Sequence, residues 1–251
     1  MKFIKIQCLL ISMLLCISYS YGRNNPAQSL GPDGLYKFTG KLNTKIPVFF
    51  WFVVKDSVLK GEVTYLKTAK RQPITVAGTI AKDNTITLYE FTKNGTITGT
   101  YEGKMKSHTF AGIWTAPGSG RELPYTLATK DTSFTPGSTA LTPTTLSGKY
   151  AYRFGKNGAS GEVHIRQIKL GTFSIDINCV TASPQNNIAE VETFKARMVN
   201  DAIIFKVPDT ECKFRIRHYQ NFIVIDRLSG PLNCGFGLNA TIAGLFIKTV
   251  Q

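Results

Sequence analysis

Turn signals recur at nearly regular intervals through residues 35 to 130, and this spacing constrains the fold more than any other feature of the chain. Short runs of Val, Ile, Thr, Tyr and Phe are separated, about every ten residues, by pairs such as Asp56-Ser57, Asp83-Asn84 and Asn94-Gly95. Asn-Gly between such runs is a strong hairpin signal. The pattern predicts about eight antiparallel strands and no helix. An even number of strands favours closure into a barrel, because closure removes exposed edges.

The second half of the chain continues in the same style with different residues. In the first half the predicted strands are Tyr36 to Leu42, Pro47 to Lys55, Val58 to Leu66, Ile74 to Ala81, Thr85 to Phe91, Thr96 to Lys104, Thr109 to Thr115 and Leu123 to Ala128. In the second half they are Lys149 to Phe154, Glu162 to Ile168, Thr172 to Cys179, Ile188 to Met198, Ala202 to Val207, Cys212 to Tyr219, Phe222 to Arg227 and Ala240 to Lys248. Ile188 to Met198 also fits a short amphipathic helix. The sequence therefore predicts an all-β fold of two tandem antiparallel β-barrel-like domains, of the calycin/lipocalin-like or sandwich type.

Two segments without strand patterning set the predicted domain boundaries. Residues 1 to 20 begin with two lysines, continue with an apolar stretch and end in small residues, which is the pattern of a cleaved export signal. The apolar stretch is shorter than the roughly 20 residues of a membrane-spanning helix, so no transmembrane segment is predicted. Residues 131 to 145 are rich in Pro, Ser and Thr, as linkers are. The predicted order is a signal peptide (1–20), an N-terminal extension (21–34), a first barrel-like domain (35–130), a linker (131–145) and a second barrel-like domain (146–251).

The chain is strongly basic, with 30 Lys and Arg against 16 Asp and Glu and a formal net charge of +14. Fourteen basic and six acidic residues give +8 over residues 34 to 130, and thirteen and eight give +5 over residues 146 to 251. Such a balance favours anionic surroundings or an anionic partner. The export signal argues against nucleic acid as that partner, as does the lack of aromatic residues interleaved with the basic ones.

Three of the five cysteines remain after removal of the predicted signal: Cys179, Cys212 and Cys234. An oxidising compartment favours one disulfide and one free thiol among them. The sequence leaves three pairings open, and we prefer Cys212 with Cys234 because they flank a hairpin-like segment. Cys179 is then expected to be a buried, inert thiol. A lipid anchor at Cys16 is less favoured, since the residue before it is not small.

The clearest alternation in the chain places Lys213, Arg215 and Arg217 on one face of a strand, opposite apolar residues. A predicted loop in the first half carries three more cations. Together these are the candidate partner-binding residues, namely Lys213, Arg215, Arg217, Lys67, Lys70 and Arg71. Their chemistry suits an acidic protein or an anionic envelope component. The alternative is that they only solubilise the protein and protect a strand edge.

No catalytic, metal or cofactor site is predicted. Glu190 and Glu192 share a strand face, but nothing in the sequence marks that face as the floor of a cleft. The histidines, His108, His164 and His218, lie outside any nucleophile motif and do not cluster with the cysteines, and each is expected at the surface. The chain is therefore predicted not to be an enzyme.

The run Val48-Phe49-Phe50-Trp51-Phe52-Val53-Val54 is apolar on both faces of its predicted strand. One face should line a core, and the other should be covered or wrap a ligand. An eight-stranded barrel is just large enough to hold one small ligand, which makes a carrier of small apolar molecules an alternative function.

Parts of the chain resemble known exported β-rich proteins. Cys212 to Tyr219, Phe222 to Asp226, Cys234-Gly235-Phe236-Gly237-Leu238-Asn239 and Gly244-Leu245-Phe246 are similar to the C-terminal part of domains in exported bacterial proteins related to small lysozyme-inhibitor barrels. The Gly-Thr hairpins of the first half and Gly112-Ile113-Trp114 resemble uncharacterised β-rich envelope domains of Bacteroidota. The resemblance implies an inhibitory loop with Ser, Gly, Lys and Tyr, for which Ser147-Gly148-Lys149-Tyr150 and Ser160-Gly161 are the nearest runs.

The predicted function is accordingly an exported, non-enzymatic binding or protein-interaction module of the bacterial envelope, periplasmic or extracellular and inhibitor-like. The alternatives are the small-ligand carrier and a hydrolase of envelope glycans built from carboxylates on distant strands.

Overall fold

A computed structural model describes residues 33–106, 108–130, 145–231 and 234–249, and within these ranges every regular element is a β-strand. The all-β prediction is therefore confirmed. The predicted signal peptide, most of the N-terminal extension and nearly all of the linker lie outside the described residues. The described part contains no helix that could cross a membrane.

Eight strands of the first half pair in chain order and close into a ring. They are β1 (Gly34–Leu42), β2 (Ile46–Lys55), β3 (Val58–Tyr65), β4 (Pro73–Ile80), β5 (Thr85–Phe91), β6 (Thr96–Lys106), β7 (Thr109–Thr115) and β8 (Glu122–Thr129). Each strand is antiparallel to the next, and β8 returns to β1 with Tyr125 opposite Leu42. The first half is thus an up-and-down barrel and not a sandwich.

Eight further strands close into a second ring in the same manner. They are β9 (Gly148–Phe154), β10 (Ser160–Lys169), β11 (Thr172–Val180), β12 (Ile188–Val199), β13 (Ala202–Lys206), β14 (Lys213–His218), β15 (Phe222–Ser229) and β16 (Gly244–Lys248). All pair antiparallel in order, and β16 closes the ring on β9. The segment Ile188 to Met198, which also fits a short amphipathic helix, is therefore a strand, β12.

The last strand begins later than the sequence predicts. Ala240 lies in a turn, because its backbone N–H donates to the carbonyl of Gly237 at 2.9 Å and Asn239 adopts a φ of 60°. Strand pairing starts only at Gly244, opposite Ile225. Cys212 and Tyr219 likewise fall just outside β14. The bounds of β5 and β7 are as predicted, and those of the other strands differ by one or two residues.

Inward side chains fill the first barrel. Along β2, Val48, Phe50, Phe52 and Val54 alternate into the interior, and each is at most 1% exposed. Phe50 contacts the ring of Tyr101 edge-on at a centroid distance of 4.8 Å. On the outer face of β2, Val53 packs against an apolar cluster shared with the second barrel. The inner face of this strand is thus buried, and its outer face is partly covered by protein.

The two barrels meet through backbone pairing and a joint apolar cluster. Strands β6 and β9 pair in parallel over Thr96 opposite Arg153 and Ile97 opposite Phe154. The cluster contains Val58, Ala77, Phe91 and Ile97 from the first barrel and Tyr219, Phe222, Val224, Leu245 and Ile247 from the second. Polar contacts border it, and in one of them Lys60 Nζ donates to Gln220 Oε1 at 2.7 Å.

Candidate binding site

The cationic stripe predicted on β14 is partly neutralised by a carboxylate on the neighbouring strand. The β14–β15 register places Arg215 directly opposite Asp226. Arg215 Nη2 lies 3.0 Å from Asp226 Oδ2, and Arg217 Nε lies 2.8 Å from the same oxygen. Arg217 also donates to the backbone carbonyl of Asp56 at 3.0 Å. Asp226 on β15 thus partly offsets the charge of these two arginines, and alternation along β14 alone does not reveal this acid. Lys213 is exposed.

The other three predicted residues lie elsewhere. Lys67, Lys70 and Arg71 are exposed on the loop between β3 and β4, at residues 66–72. Asp56, which touches Arg217, precedes the opposite end of β3, and the eight residues of that strand span roughly 25 Å. The fold thus does not bring the six candidate residues together.

The β3–β4 loop belongs to a larger positively charged surface. In an up-and-down barrel, alternate hairpin loops lie at the same end, so the loops 43–45, 66–72, 92–95 and 116–121 share one end of the first barrel. None of these loops contains Asp or Glu. They carry six exposed cations: Lys45, Lys67, Lys70, Arg71, Lys93 and Arg121.

The second barrel extends this surface. The backbone N–H of Arg153 donates to the carbonyl of Gly95 at 3.1 Å, and Gly155 lies against Gly118 of the β7–β8 loop. The β9–β10 loop, residues 155–159, therefore borders the first barrel, and it too lacks acidic residues. Arg153 and Lys156 are exposed there. We call these eight side chains, on and beside five loops, the cationic end: Lys45, Lys67, Lys70, Arg71, Lys93, Arg121, Arg153 and Lys156.

The opposite end of the first barrel has a different charge pattern. Asp56 and Asp83 lie in its hairpin loops, and Asp33 precedes β1 at that end. Asp83 forms an ion pair with Lys104 at 3.0 Å. Hydrogen bonds from Thr85 and Lys104 lower the pKa of the Asp83 carboxyl to about 2. By contrast, no side chain of the cationic end forms an ion pair with another described residue.

A buried carboxyl group lies inside the first barrel near the cationic end. Glu90 is 2% exposed and accepts hydrogen bonds from the hydroxyls of Tyr65 at 2.6 Å, Tyr101 at 2.8 Å and Thr98 at 3.4 Å. Gly99 leaves room for this group, since a Cβ at that position would lie 2.6 Å from Glu90 Oε2. Burial raises the pKa of Glu90. Glu90 is absent from the residues selected from the sequence. Its alternation with Ile86 and Leu88 along β5 is the signal that places its side chain on the inward face.

The outer face of the second barrel carries an acidic groove of about 590 Å³. Strands β10, β11 and β12 line it with Glu162, His164, Asp176, Asn178, Glu190 and Glu192. The predicted carboxylate pair, Glu190 and Glu192, is thus brought next to two further acids. Hydrogen bonding from Lys149, whose Nζ is 2.9 Å from Glu162 Oε2, lowers the pKa of Glu162. Among the described residues, no group of three or more His, Cys, Asp or Glu side chains is arranged to hold a metal ion.

The structure confirms the disulfide and corrects one histidine. Cys212 and Cys234 form a disulfide with a Cα–Cα distance of 5.5 Å. Cys179 is free and buried, and burial raises its pKa to about 12. His164 is exposed, as expected, but His218 is only 6% exposed. The surface prediction for His218 is wrong because it shares the inward face of β14 with Phe214 and Ile216.

The interior of the first barrel offers little support for a carrier. Phe38, Phe50, Phe52, Phe110 and Tyr101 are each fully buried. Centroid distances between contacting pairs of these rings range from 4.8 to 6.4 Å. Aromatic side chains therefore occupy the space in which the carrier hypothesis places a ligand.

The runs that the lysozyme-inhibitor resemblance singled out do not form a projecting loop. Gly148, Lys149 and Tyr150 lie in β9, and Tyr150 is 1% exposed with its hydroxyl donating to the carbonyl of Leu146 at 2.7 Å. Ser160 and Gly161 lie in β10. Comparisons of the chain with protein-family models, with curated proteins and with solved structures found no match.

Proposed function

We propose that this chain is a non-catalytic binding protein of the bacterial envelope, periplasmic or extracellular, that holds an acidic protein partner on its cationic end. The observation that carries the proposal is the set of five acid-free loops that bear seven exposed cations, with Arg153 as an eighth at the adjoining end of β9. Three of those cations, Lys67, Lys70 and Arg71, are among the residues that the sequence analysis selected.

Electrostatics favours an anionic partner at this end. Like charges that share a surface repel one another, and no described acid pairs with any of the eight. A partner with complementary charge relieves this repulsion and is steered towards the surface before contact. The attraction should therefore weaken as salt is added.

The arrangement of the cations favours a protein surface over a nucleic acid. Single-stranded nucleic acids are held by a groove that follows the backbone and by aromatic side chains on which bases stack. Here the cations are spread over five loops and the adjoining end of β9, and none of the five loops contains Phe, Tyr or Trp.

The disulfide supports the proposed location. Disulfides persist in oxidising compartments such as the periplasm and the cell exterior, and the Cys212–Cys234 bond is of that kind. The N-terminal sequence has the pattern of an export signal.

Titration of the protein with labelled poly-L-glutamate, an acidic polypeptide, tests the proposal. The test variant changes Lys67, Lys70 and Arg71 to Gln. The matched control changes Lys82, Lys106 and Lys130 to Gln; these three exposed lysines belong to the opposite end of the first barrel. Both variants lose three charges, so net charge cannot distinguish them. With about 0.5 kcal/mol per exposed charge pair, we expect roughly tenfold weaker binding for the test variant and little change for the control.

Equal effects of the two variants would overturn the assignment to the cationic end, because binding would then follow net charge alone. Tighter binding of a single-stranded oligonucleotide of equal charge would contradict the choice of a protein partner.

The acidic groove supports a second candidate, hydrolysis of envelope glycans, more weakly. Such hydrolysis needs one carboxyl group that stays protonated to act as the acid, which requires a raised pKa. Within the groove, however, the pKa of Glu162 is lowered and not raised. Release of reducing sugars from cell-wall glycan, abolished by Glu190→Gln or Glu192→Gln, would nevertheless establish the hydrolase and refute the non-catalytic proposal.

A further inference from the structure

The hairpin between β10 and β11 ends in exposed aliphatic side chains. Leu170, at the turn, is 95% exposed, which is more than any other large apolar side chain of the described residues. Ile168, two residues earlier, is 47% exposed. Neither joins the apolar clusters of the described chain. We call the two side chains and the surrounding turn the hairpin tip.

Two rows of cations flank the hairpin tip on the outer face of the barrel. The strand register places Arg166, Ser174 and Lys195 side by side, and likewise Lys169, Thr172 and Arg197. In each row the two cations are two strands apart, or about 10 Å. All four are exposed, and none forms an ion pair with another described residue.

Part of the backbone of the hairpin tip is hydrogen-bonded within the protein. Lys169 pairs with Thr172 across the turn, and the Gly171 carbonyl accepts the N–H of Met198 at 2.9 Å. Gly171 has a φ of 69°, a left-handed conformation that suits glycine. These bonds reduce the number of backbone groups that lose a water partner when the turn enters a less polar environment.

We propose that the hairpin tip docks the protein on an anionic lipid bilayer. Leu170 and Ile168 enter the boundary between headgroups and acyl chains, while Arg166, Lys169, Lys195 and Arg197 contact anionic headgroups. Exposed aliphatic side chains beside a cluster of cations are the combination by which peripheral proteins bind such membranes. The tip is a convex projection, which fits a deformable bilayer surface.

The proposed lipid-binding surface ends where the acidic groove begins. Asp176 follows Ser174 by two residues along β11, and Glu192 lies on the groove side of Lys195 along β12. This division limits the lipid contact to the hairpin tip and the two rows of cations. The proposal is independent of the cationic end, which lies on other loops.

Co-sedimentation of the full protein with vesicles tests the proposal. One set of vesicles contains phosphatidylglycerol mixed with phosphatidylcholine, and the other contains phosphatidylcholine alone. We expect binding to the anionic vesicles only. Leu170→Asp should reduce that binding by roughly tenfold or more, since it removes the apolar contact and adds a charge that anionic lipids repel. The matched control is Leu238→Asp, because Leu238 is 76% exposed on another loop, and it should bind like the unmodified protein.

A second pair of variants separates the cations of the hairpin tip from the cationic end. Lys195→Gln with Arg197→Gln should weaken vesicle binding about fivefold per charge removed. The triple change at Lys67, Lys70 and Arg71 should leave vesicle binding unchanged. Failure of the unmodified protein to bind, unchanged binding of Leu170→Asp, or loss only with the triple change would each overturn the proposal. As an independent readout, Leu170→Trp should add fluorescence that shifts to the blue with anionic vesicles; no shift would contradict insertion of the tip.

Discussion

The two barrels share one strand order but have differently built interiors. The first interior combines aliphatic side chains with a cluster of aromatic rings around Phe50 and Phe110, and it also encloses the Glu90 carboxyl. The second interior also combines aliphatic and aromatic side chains, Ile175 and Phe214 among them, but it is cross-linked by the Cys212–Cys234 disulfide. The same topology therefore accommodates two kinds of core, provided that alternate residues along each strand fill the interior.

The two ends of the first barrel differ in the charge of their loops. Loops at one end carry cations without acids, whereas those at the other end include Asp56 and Asp83. Loop residues make few core contacts and can vary without changing the strands that they connect. Function is therefore more readily assigned to the loops than to the filled interiors.

Shortening an aromatic side chain in the first barrel should have the largest effect. Phe50→Ala removes a fully buried ring that contacts Tyr101, so we expect the free energy of unfolding to fall by about 4 kcal/mol. Urea denaturation followed by tryptophan fluorescence measures this, because Trp51 and Trp114, the only two tryptophans, both lie in the first barrel. Phe50→Leu serves as the control, and its free energy of unfolding should fall much less. Small, similar losses for both variants would indicate a loosely filled interior and would revive the carrier hypothesis.

Removal of the disulfide should affect mainly the second barrel. Cys212 and Cys234 are 22 residues apart, and opening a loop of that size costs about 3 kcal/mol of stability. For the Cys212→Ser, Cys234→Ser variant, the unfolding transition in circular dichroism should move to lower denaturant more than the transition in tryptophan fluorescence. Cys179→Ala is the control for loss of a buried thiol. Equal movement of the two signals would show that the barrels unfold as one unit.

Glu90 should make the stability of the first barrel depend on pH, and replacing Glu90 should remove that dependence. Burial raises the pKa of the folded-state carboxyl, so its stabilising contribution is fully present below the unfolded-state pKa and is lost as pH rises through the folded-state value. Glu90→Gln keeps an oxygen that can accept from Tyr65 and Tyr101 but cannot ionise. Relative to the unmodified protein, this variant should become more stable as pH increases from acid to neutral and beyond. A difference in stability between the variant and the unmodified protein that stays constant over this pH range would contradict the raised pKa of Glu90.

Sequence reasoning worked best for features that depend on local pattern. Alternating residues and turn pairs predicted both sets of strands, and the Cys212–Cys234 pairing followed from the segment that these residues flank. The prediction of the last strand was less accurate, because the turn at Asn239 and Ala240 interrupts an otherwise apolar stretch.

The candidate site depended on contacts between strands and was predicted only in part. Alternation along β14 identified Arg215 and Arg217, but their neutralisation by Asp226 depends on the register with β15. The cationic end could have been found by adding the charges of alternate loops, since a barrel of this type places them together. The exposure of Leu170 could not be predicted from the sequence, because the sequence does not reveal that no other described residue covers this turn.

The proposed function depends on binding of an acidic polypeptide at the cationic end. Titration of ¹⁵N-labelled protein with poly-L-glutamate, followed residue by residue in amide NMR spectra, measures where that polypeptide binds. We expect the largest chemical-shift changes in the five loops around Lys45, Lys67, Lys93, Arg121 and Lys156, and we expect these changes to disappear as salt is added. Changes spread evenly over both barrels, or concentrated away from these loops, would contradict it.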